Sequence, residues 1–97
     1  MRVGLLLLSV LLPAVALAEL PGEKIFKRKC TMCHQVNGRG GEIGPDLSKV
    51  ASRLSAVQLQ AKVMYPKKSA PSTSMPSFAT LPATEMDALL SYLKNMR

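Results

Sequence analysis

Cys30-Thr31-Met32-Cys33-His34 is the stretch on which the reading of this 97-residue chain turns. Its two cysteines and its histidine are the only residues of those types in the chain. The pattern C-x-x-C-H is that of covalent c-type haem attachment. Two thioether bonds to the two vinyl groups of one porphyrin need thiols about a helical turn apart, and a histidine immediately after them is placed to offer its imidazole to the iron from the same side. Three other uses of the pair fit less well. A disulfide across so short a loop would constrain little of the chain, even in an oxidising compartment. A thioredoxin-like redox pair needs a strand–helix–strand setting, which the flanking sequence does not suggest. A zinc site needs four ligands, whereas two cysteines and one histidine make three.

Working outward toward the N-terminus, Arg2 precedes a largely aliphatic run from Val3 to Leu12, then Pro13 and the small-residue site Ala16-Leu17-Ala18. This has the form of a cleaved secretory signal at residues 1–18. The run is too short for the roughly 20 residues of a membrane span, so no span is expected after cleavage, and the compartment implied is the periplasm. Residues 19–97 then form the exported domain. A domain of that size lies near the limit below which a hydrophobic core alone seldom suffices. Its only aromatics are Phe26, Tyr65, Phe78 and Tyr92, with no tryptophan, so part of the core volume must be non-protein.

The exported part carries twelve Lys and Arg against six Asp and Glu, a net +6. Such a field favours encounter with acidic partners. Nucleic acid is excluded as a partner by the export signal and by the lack of basic stretches interleaved with aromatics.

The elements follow from periodicity. Glu23 to Cys30 is expected to be helical, with Ile25 and Phe26 on the apolar face and Lys24, Lys27 and Arg28 opposite. Gly38, Gly40, Gly41 and Gly44 make Asn37 to Pro45 a loop. Leu47, Val50 and Leu54 suggest a short helix, and Ser55 with Gln58 forms a capping box for the next, which Pro66 limits to about Tyr65. Lys67 to Ser77, with Pro71, Pro76 and four serines, is expected to be irregular. The last helix has Pro82 suited to its first turn, an apolar stripe of Met86, Leu89, Leu90 and Leu93, and Lys94 and Arg97 at its negative end. No strand is expected, and the fold class is all-α.

In this order the landmarks resemble the class I monohaem c-type cytochrome family over essentially all of residues 19–97. Gly22 and Phe26 resemble the positions at which the N-terminal helix crosses the C-terminal one; Cys30 to His34 resemble the haem motif; Gly44-Pro45-Asp46-Leu47 resembles the G-P-x-L loop; Met75-Pro76-Ser77-Phe78 resembles the axial-methionine loop; Leu89 and Tyr92-Leu93 resemble the helix that packs back. The resemblance implies a small fold of three to four short helices around one haem c and its iron, the terminal helices packed across each other. It also implies that the Pro45 carbonyl accepts the remaining N–H of His34. The chain departs from the commoner pattern in the short stretch before Met75, which leaves that haem edge less covered, and in having Pro82 where many relatives have a capping serine or threonine.

With His34 as one iron ligand, a methionine is the main candidate for the other. Met1 lies in the signal, Met32 inside the motif, and Met86 and Met96 at the last helix. Met64 is expected on a helix, where a flexible core filler is the ordinary role. Met75 lies in irregular chain that can wrap to the far side of the haem, and the resemblance selects the same residue. The metal ligands are therefore expected to be His34 and Met75, and the haem-binding set Cys30, Cys33, His34, Met75 and Pro45. Arg39, Arg53 and Tyr65 are candidates by type for the propionates.

The function expected is electron transfer between exported redox proteins, not catalysis. A second form of it is a small cytochrome subunit of a periplasmic dehydrogenase; a haem sensor or peroxidase needs an open sixth position and distal polar groups that the chain does not offer. Partners are expected to be acidic oxidases, reductases or dehydrogenases, met as a monomer or as a small subunit of a heteromer. Lys24, Lys27, Arg28 and Lys29, with Lys67 and Lys68, are expected to border the haem edge where they dock.

Overall fold

Pro21 sets the start of the first helix, because its fixed φ suits the first helical position and its missing N–H is not needed there. In the computed structural model, which describes Gly4 and residues 19–97, α1 runs over Pro21–Lys29. The leader assigned to residues 1–18 lies, apart from Gly4, outside the described residues. Glu23 sits in the first turn of α1 and Lys27, Arg28 and Lys29 in its last, as the helix dipole favours. The helix begins two residues before the expected Glu23 because the Leu20 carbonyl already accepts the Lys24 N–H at 3.2 Å.

Among the described residues five helices form: α1, α2 (Val50–Arg53), α3 (Ala56–Met64), α4 (Pro66–Ser69) and α5 (Ala83–Lys94). Ser55 caps α3 in the expected box, its side chain accepting the Gln58 N–H while Gln58 accepts the Ser55 N–H. The all-α expectation describes the body of the domain, with two local differences. Lys67 to Ser69, expected to be irregular, join Pro66 in the single turn α4, because Pro66 that ends α3 is itself pre-set for a new first turn. The loop after the haem motif contains a small antiparallel pair, β1 (Gln35–Val36) with β2 (Arg39–Gly40), against the expectation of no strand. Asn37 and Gly38 turn the chain with φ of 51° and 78°. Asn-Gly is the sequence signature of such a tight hairpin, and two-residue strands are too short to show an alternating pattern.

The core is the crossing of α1 and α5. Ile25 and Phe26 from α1 pack on Met86, Leu89, Leu90 and Leu93 from α5, and Leu89 is wholly buried. Gly22 permits the approach: a Cβ there would lie 2.6 Å from the Tyr92 Cβ and closer still to the Ala88 carbonyl. Phe26 and Tyr92 stack in a tilted arrangement, centroids 5.6 Å apart. Pro82 precedes α5 as its N-cap rather than lying in its first turn, and its carbonyl accepts the Met86 N–H at 2.9 Å. Beyond α5, Met96 is buried and its carbonyl accepts the Ala51 N–H at 2.7 Å, tying the end of the chain to α2. Among the described residues no helix is long and apolar enough to cross a membrane.

Candidate functional site

The C-cap of α1 is Cys30, and the chain turns tightly after it: the N–H groups of Cys33 and His34 both bond the Cys30 carbonyl, at 3.1 and 3.0 Å. That turn brings both thiols and the imidazole to one wall of a cavity of about 680 Å³. Volumes of roughly 300–1,000 Å³ are those of cofactor sites. The opposite walls are apolar, formed by Leu47, Val50 and Leu54 around α2, by Leu59 and Val63 of α3, and by Leu93 of α5. Both cysteines are free thiols and half-buried. Burial, with the neighbouring Cys33, pushes the Cys30 thiol up to about 11.

His34 is nearly enclosed, at 9 % exposure, and its Nδ1 lies 2.8 Å from the Pro45 carbonyl oxygen. A carbonyl can only accept, so Nδ1 carries the proton and Nε2 is left with the lone pair that a metal needs. The segment holding Pro45 is tied to the haem motif on both sides of it: Gly44 N–H bonds the Cys33 carbonyl at 2.7 Å and Leu47 N–H the Gln35 carbonyl at 2.9 Å. Gly44 lies against the imidazole, where a Cβ would come 2.5 Å from Cε1. Asp46 follows, its carboxylate accepting the Ser48 N–H at 2.7 Å; the Ser48 hydroxyl and N–H, and then Arg53, hold its carboxyl below the usual value.

Met75 lines the same cavity and is the only methionine among the described residues to do so. Its loop is fastened after it rather than before: Phe78 N–H bonds the Val63 carbonyl at 3.0 Å and the Ser77 hydroxyl bonds the Met64 carbonyl. Met75 itself donates its N–H to the Thr73 hydroxyl at 3.2 Å. Met64 points its sulfur to other work, accepting Gln60 Nε2 at 3.6 Å, and is absent from the cavity wall. The cavity therefore gathers Cys30, Cys33, His34, Pro45 and Met75, which lie as far apart as 45 residues in the chain.

Of the three residues considered for propionates, Arg53 lines the cavity and Arg39 and Tyr65 do not. Arg53 is oriented by donating Nη2 to the Asp46 carbonyl at 3.1 Å. Lys62 also lines the wall, with Nζ 2.9 Å from the Ser69 hydroxyl. The sequence held a signal for it that was passed over: Lys62 adjoins Val63 and lies three residues after Leu59, the two buried positions of α3. The basic clusters line two adjoining pockets that share Pro66 and residues 73–76. Lys29 lines this cavity, while Lys67 and Lys68 line a neighbouring pocket, where the Lys68 ammonium lies 4.7 Å from the centroid of the Tyr65 ring.

Residues 20–97 match the family model for cytochrome c. The chain belongs to the cytochrome c family. Members of the family transfer electrons through a covalently bound haem, and the cavity fits that group in chemistry as well as volume: two thiols, a lone-pair imidazole and a thioether set in apolar walls. Among relatives, the chain is 35 % identical over 94 residues to cytochrome c of Nigella damascena, covering 75 % of this chain and 85 % of that one. It is 37 % identical over 95 residues to cytochrome c of Cannabis sativa, with the same coverage. It is also 38 % identical over 96 residues to dihydro-heme d1 dehydrogenase of Pseudomonas aeruginosa. That match takes in 96 % of this chain and 19 % of the relative, so the chain spans about a fifth of that protein's length.

Proposed function

We propose that this cytochrome c family protein is an exported one-electron carrier whose haem is attached at Cys30 and Cys33 and whose iron is held between His34 and Met75. The observation that carries the reading is the convergence of both thiols, the His34 imidazole and the Met75 thioether on one apolar cavity. Haem c supplies a one-electron iron couple. Cys30 and Cys33 hold the macrocycle in one orientation by thioether bonds. His34 offers Nε2, and the Pro45 carbonyl keeps the proton on Nδ1, fixing the ring plane and raising the basicity of the ligating nitrogen. Met75 would offer its thioether to the iron, a ligand associated with raised reduction potential. Arg53, Lys62 and Lys29 are the cations of the cavity wall and would be available to the propionates. Leu47, Val50, Leu54, Leu59 and Val63 keep water from the ring, so the surroundings reorganise little when charge arrives. With His34 and Met75 both offered to the iron, the haem would exchange electrons without binding a substrate there.

Residues 1–18 are assigned as the export leader and the periplasm as the working compartment, on the strength of the apolar run and the Ala16-Leu17-Ala18 site. The partners proposed are acidic redox proteins, in keeping with the net +6 of residues 19–97. A second reading, a small subunit held by a periplasmic dehydrogenase, is favoured by the Pseudomonas relative, in which the matched sequence is part of a much longer dehydrogenase chain.

Intact mass and the ferrous absorption spectrum test the assignment together. One added haem and a low-spin spectrum that resists carbon monoxide at neutral pH are expected. A colourless, folded protein with a Cys30–Cys33 disulfide would refute it. Native purification distinguishes the free carrier from the subunit by size.

A further inference from the structure

The chain has two asparagines, Asn37 and Asn95, and the fold treats them differently. Asn95 is the C-cap of α5 and donates its carboxamide Nδ2 to the Ser91 carbonyl at 2.9 Å, while the N–H of the next residue, Met96, bonds the Leu93 carbonyl at 3.1 Å. Asn37 is followed by Gly38 in the turn between β1 and β2, and both are exposed. Among the described residues neither the Asn37 carboxamide nor the Gly38 N–H makes a hydrogen bond. A Cβ built at Gly38 would meet nothing within 4 Å, so no neighbouring group shields the peptide that joins the two. One bond ties this turn to the rest of the domain: Asn37 donates its backbone N–H to the Ser48 hydroxyl at 2.8 Å. Ser48 is fixed in turn by Asp46, whose carboxylate accepts its N–H at 2.7 Å. The hairpin itself supplies only the pairs Gln35 with Gly40 and Val36 with Arg39, too few to hold a turn by themselves.

We propose that Asn37-Gly38 is a site of spontaneous modification through a succinimide, and that the Ser48 hydroxyl is the brake on it. The nucleophile is the Gly38 backbone nitrogen, which gives its proton to a solvent base as it bonds to Asn37 Cγ; the carboxamide nitrogen leaves as ammonia. The succinimide then takes up one water. Opening at Cγ leaves aspartate, and opening at the former Asn37 backbone carbonyl leaves isoaspartate, with the main chain running through the side chain. Nothing is oxidised or reduced. Glycine favours the attack because no Cβ stands beside the nucleophilic nitrogen. Closing the ring requires the peptide between the two residues to swing out of the hairpin turn, and the Ser48 bond holds Asn37 in that turn. Without that bond the short hairpin can open locally while the helices stay packed. Isoaspartate lengthens the backbone inside the turn, so the pairs on either side lose register, and the new carboxylate takes one unit from the net +6 of residues 19–97. The Gln35 carbonyl of the same hairpin accepts the Leu47 N–H at 2.9 Å, so the change reaches the loop that carries Pro45.

The test incubates the purified native protein at mildly alkaline pH and follows each asparagine by peptide mass, with isoaspartate counted by an isoaspartyl methyltransferase and labelled S-adenosylmethionine. Conversion of Asn37 to a mixture of aspartate and isoaspartate is expected, with Asn95 unchanged in the same sample. Ser48→Ala is expected to speed the conversion roughly two- to twelvefold, the share of one hydrogen bond. Ser48→Thr, which keeps the hydroxyl, is expected to keep the wild-type rate. Asn37→Gln, whose ring would be larger and slower to close, is expected to remove the signal. An Asn37 that stays as intact as Asn95 would overturn the proposal. A Ser48→Ala rate equal to wild type would overturn the part assigned to Ser48, and so would conversion of Asn95 along with Asn37 in that variant, because the whole fold would then have opened.

Discussion

His34 Nδ1 and the Pro45 carbonyl oxygen lie 2.8 Å apart across eleven residues of chain. The contact fixes the imidazole tautomer without any side-chain partner. It depends on the path of the backbone through Gly44 and Asp46, because a carbonyl cannot be moved by rotating a side chain. Changes in those two neighbours therefore reach the ring.

Gly44→Ala puts a methyl group 2.5 Å from His34 Cε1 and 2.8 Å from Nδ1. The ring or the loop must yield. The expected cost is that of overpacking, roughly 1–3 kcal/mol, read as a lower denaturation midpoint of the ferric protein. The reduction potential should move with it if the displaced imidazole is the proposed iron ligand. A stability loss with an unmoved potential would mean that the loop alone gives way.

Met75→Ala is expected to open the sixth position, so that the ferric protein loses its sulfur-ligation band in the far red and binds added imidazole. Met64→Ala should keep that band. Met64 is only half-buried, so its truncation should cost roughly 1–2 kcal/mol, less than for a fully buried methionine. The two spectra side by side decide the ligand, and loss of the band in the Met64 variant would reverse the assignment.

Gly22→Val is expected to separate α1 from α5, because the Ala88 carbonyl and the Tyr92 Cβ occupy the space any side chain needs. Backbone on one side and a packed ring on the other leave little room for relaxation. A loss of about 3 kcal/mol is expected, at the upper end of overpacking. Near-ultraviolet dichroism should report it as a weakened signal from the Phe26–Tyr92 pair.

Asp46→Ala removes the carboxylate that accepts the Ser48 N–H. The folded-state pKa of Asp46 is lowered from 3.8, first by the Ser48 hydroxyl and next by its N–H. A lowered folded value means that the carboxylate stabilises the fold above its ordinary pKa and ceases to do so as the pH falls through the folded value. The difference in stability between wild type and Asp46→Ala should therefore be present at pH 6 to 7, begin to fall as the pH approaches 3.8 and be lost below the still lower folded value. Denaturant titrations across that range measure it; a difference that persisted in acid would point to lost packing.

Much of this protein was determined by sequence over short distances. The Cys30-to-His34 motif is confined to five residues, and a single turn at the end of α1 is enough to present all three side chains together. The Ser55–Gln58 box and the α5 stripe of Met86, Leu89, Leu90 and Leu93 are likewise local, since capping needs three residues and helical faces repeat every three or four. The proposal of a leader at residues 1–18 rests on sequence alone.

Only the tertiary structure decided what depends on the path of the chain between elements. Periodicity cannot report single turns or two-residue rungs, which is why α4 and the β1–β2 pair appeared where loops were expected. The choice among propionate candidates was also a matter of placement: Arg39, Arg53 and Tyr65 are alike in their capacity to bond a carboxylate, yet only Arg53 lines the cavity, held there by the Asp46 carbonyl, and Lys62 joins it from α3. The same holds for the methionines. Met64 and Met75 have the same thioether, and what separates them is that α3 fixes one beside Gln60, outside the cavity, while the loop fastened at Ser77 and Phe78 carries the other to its wall.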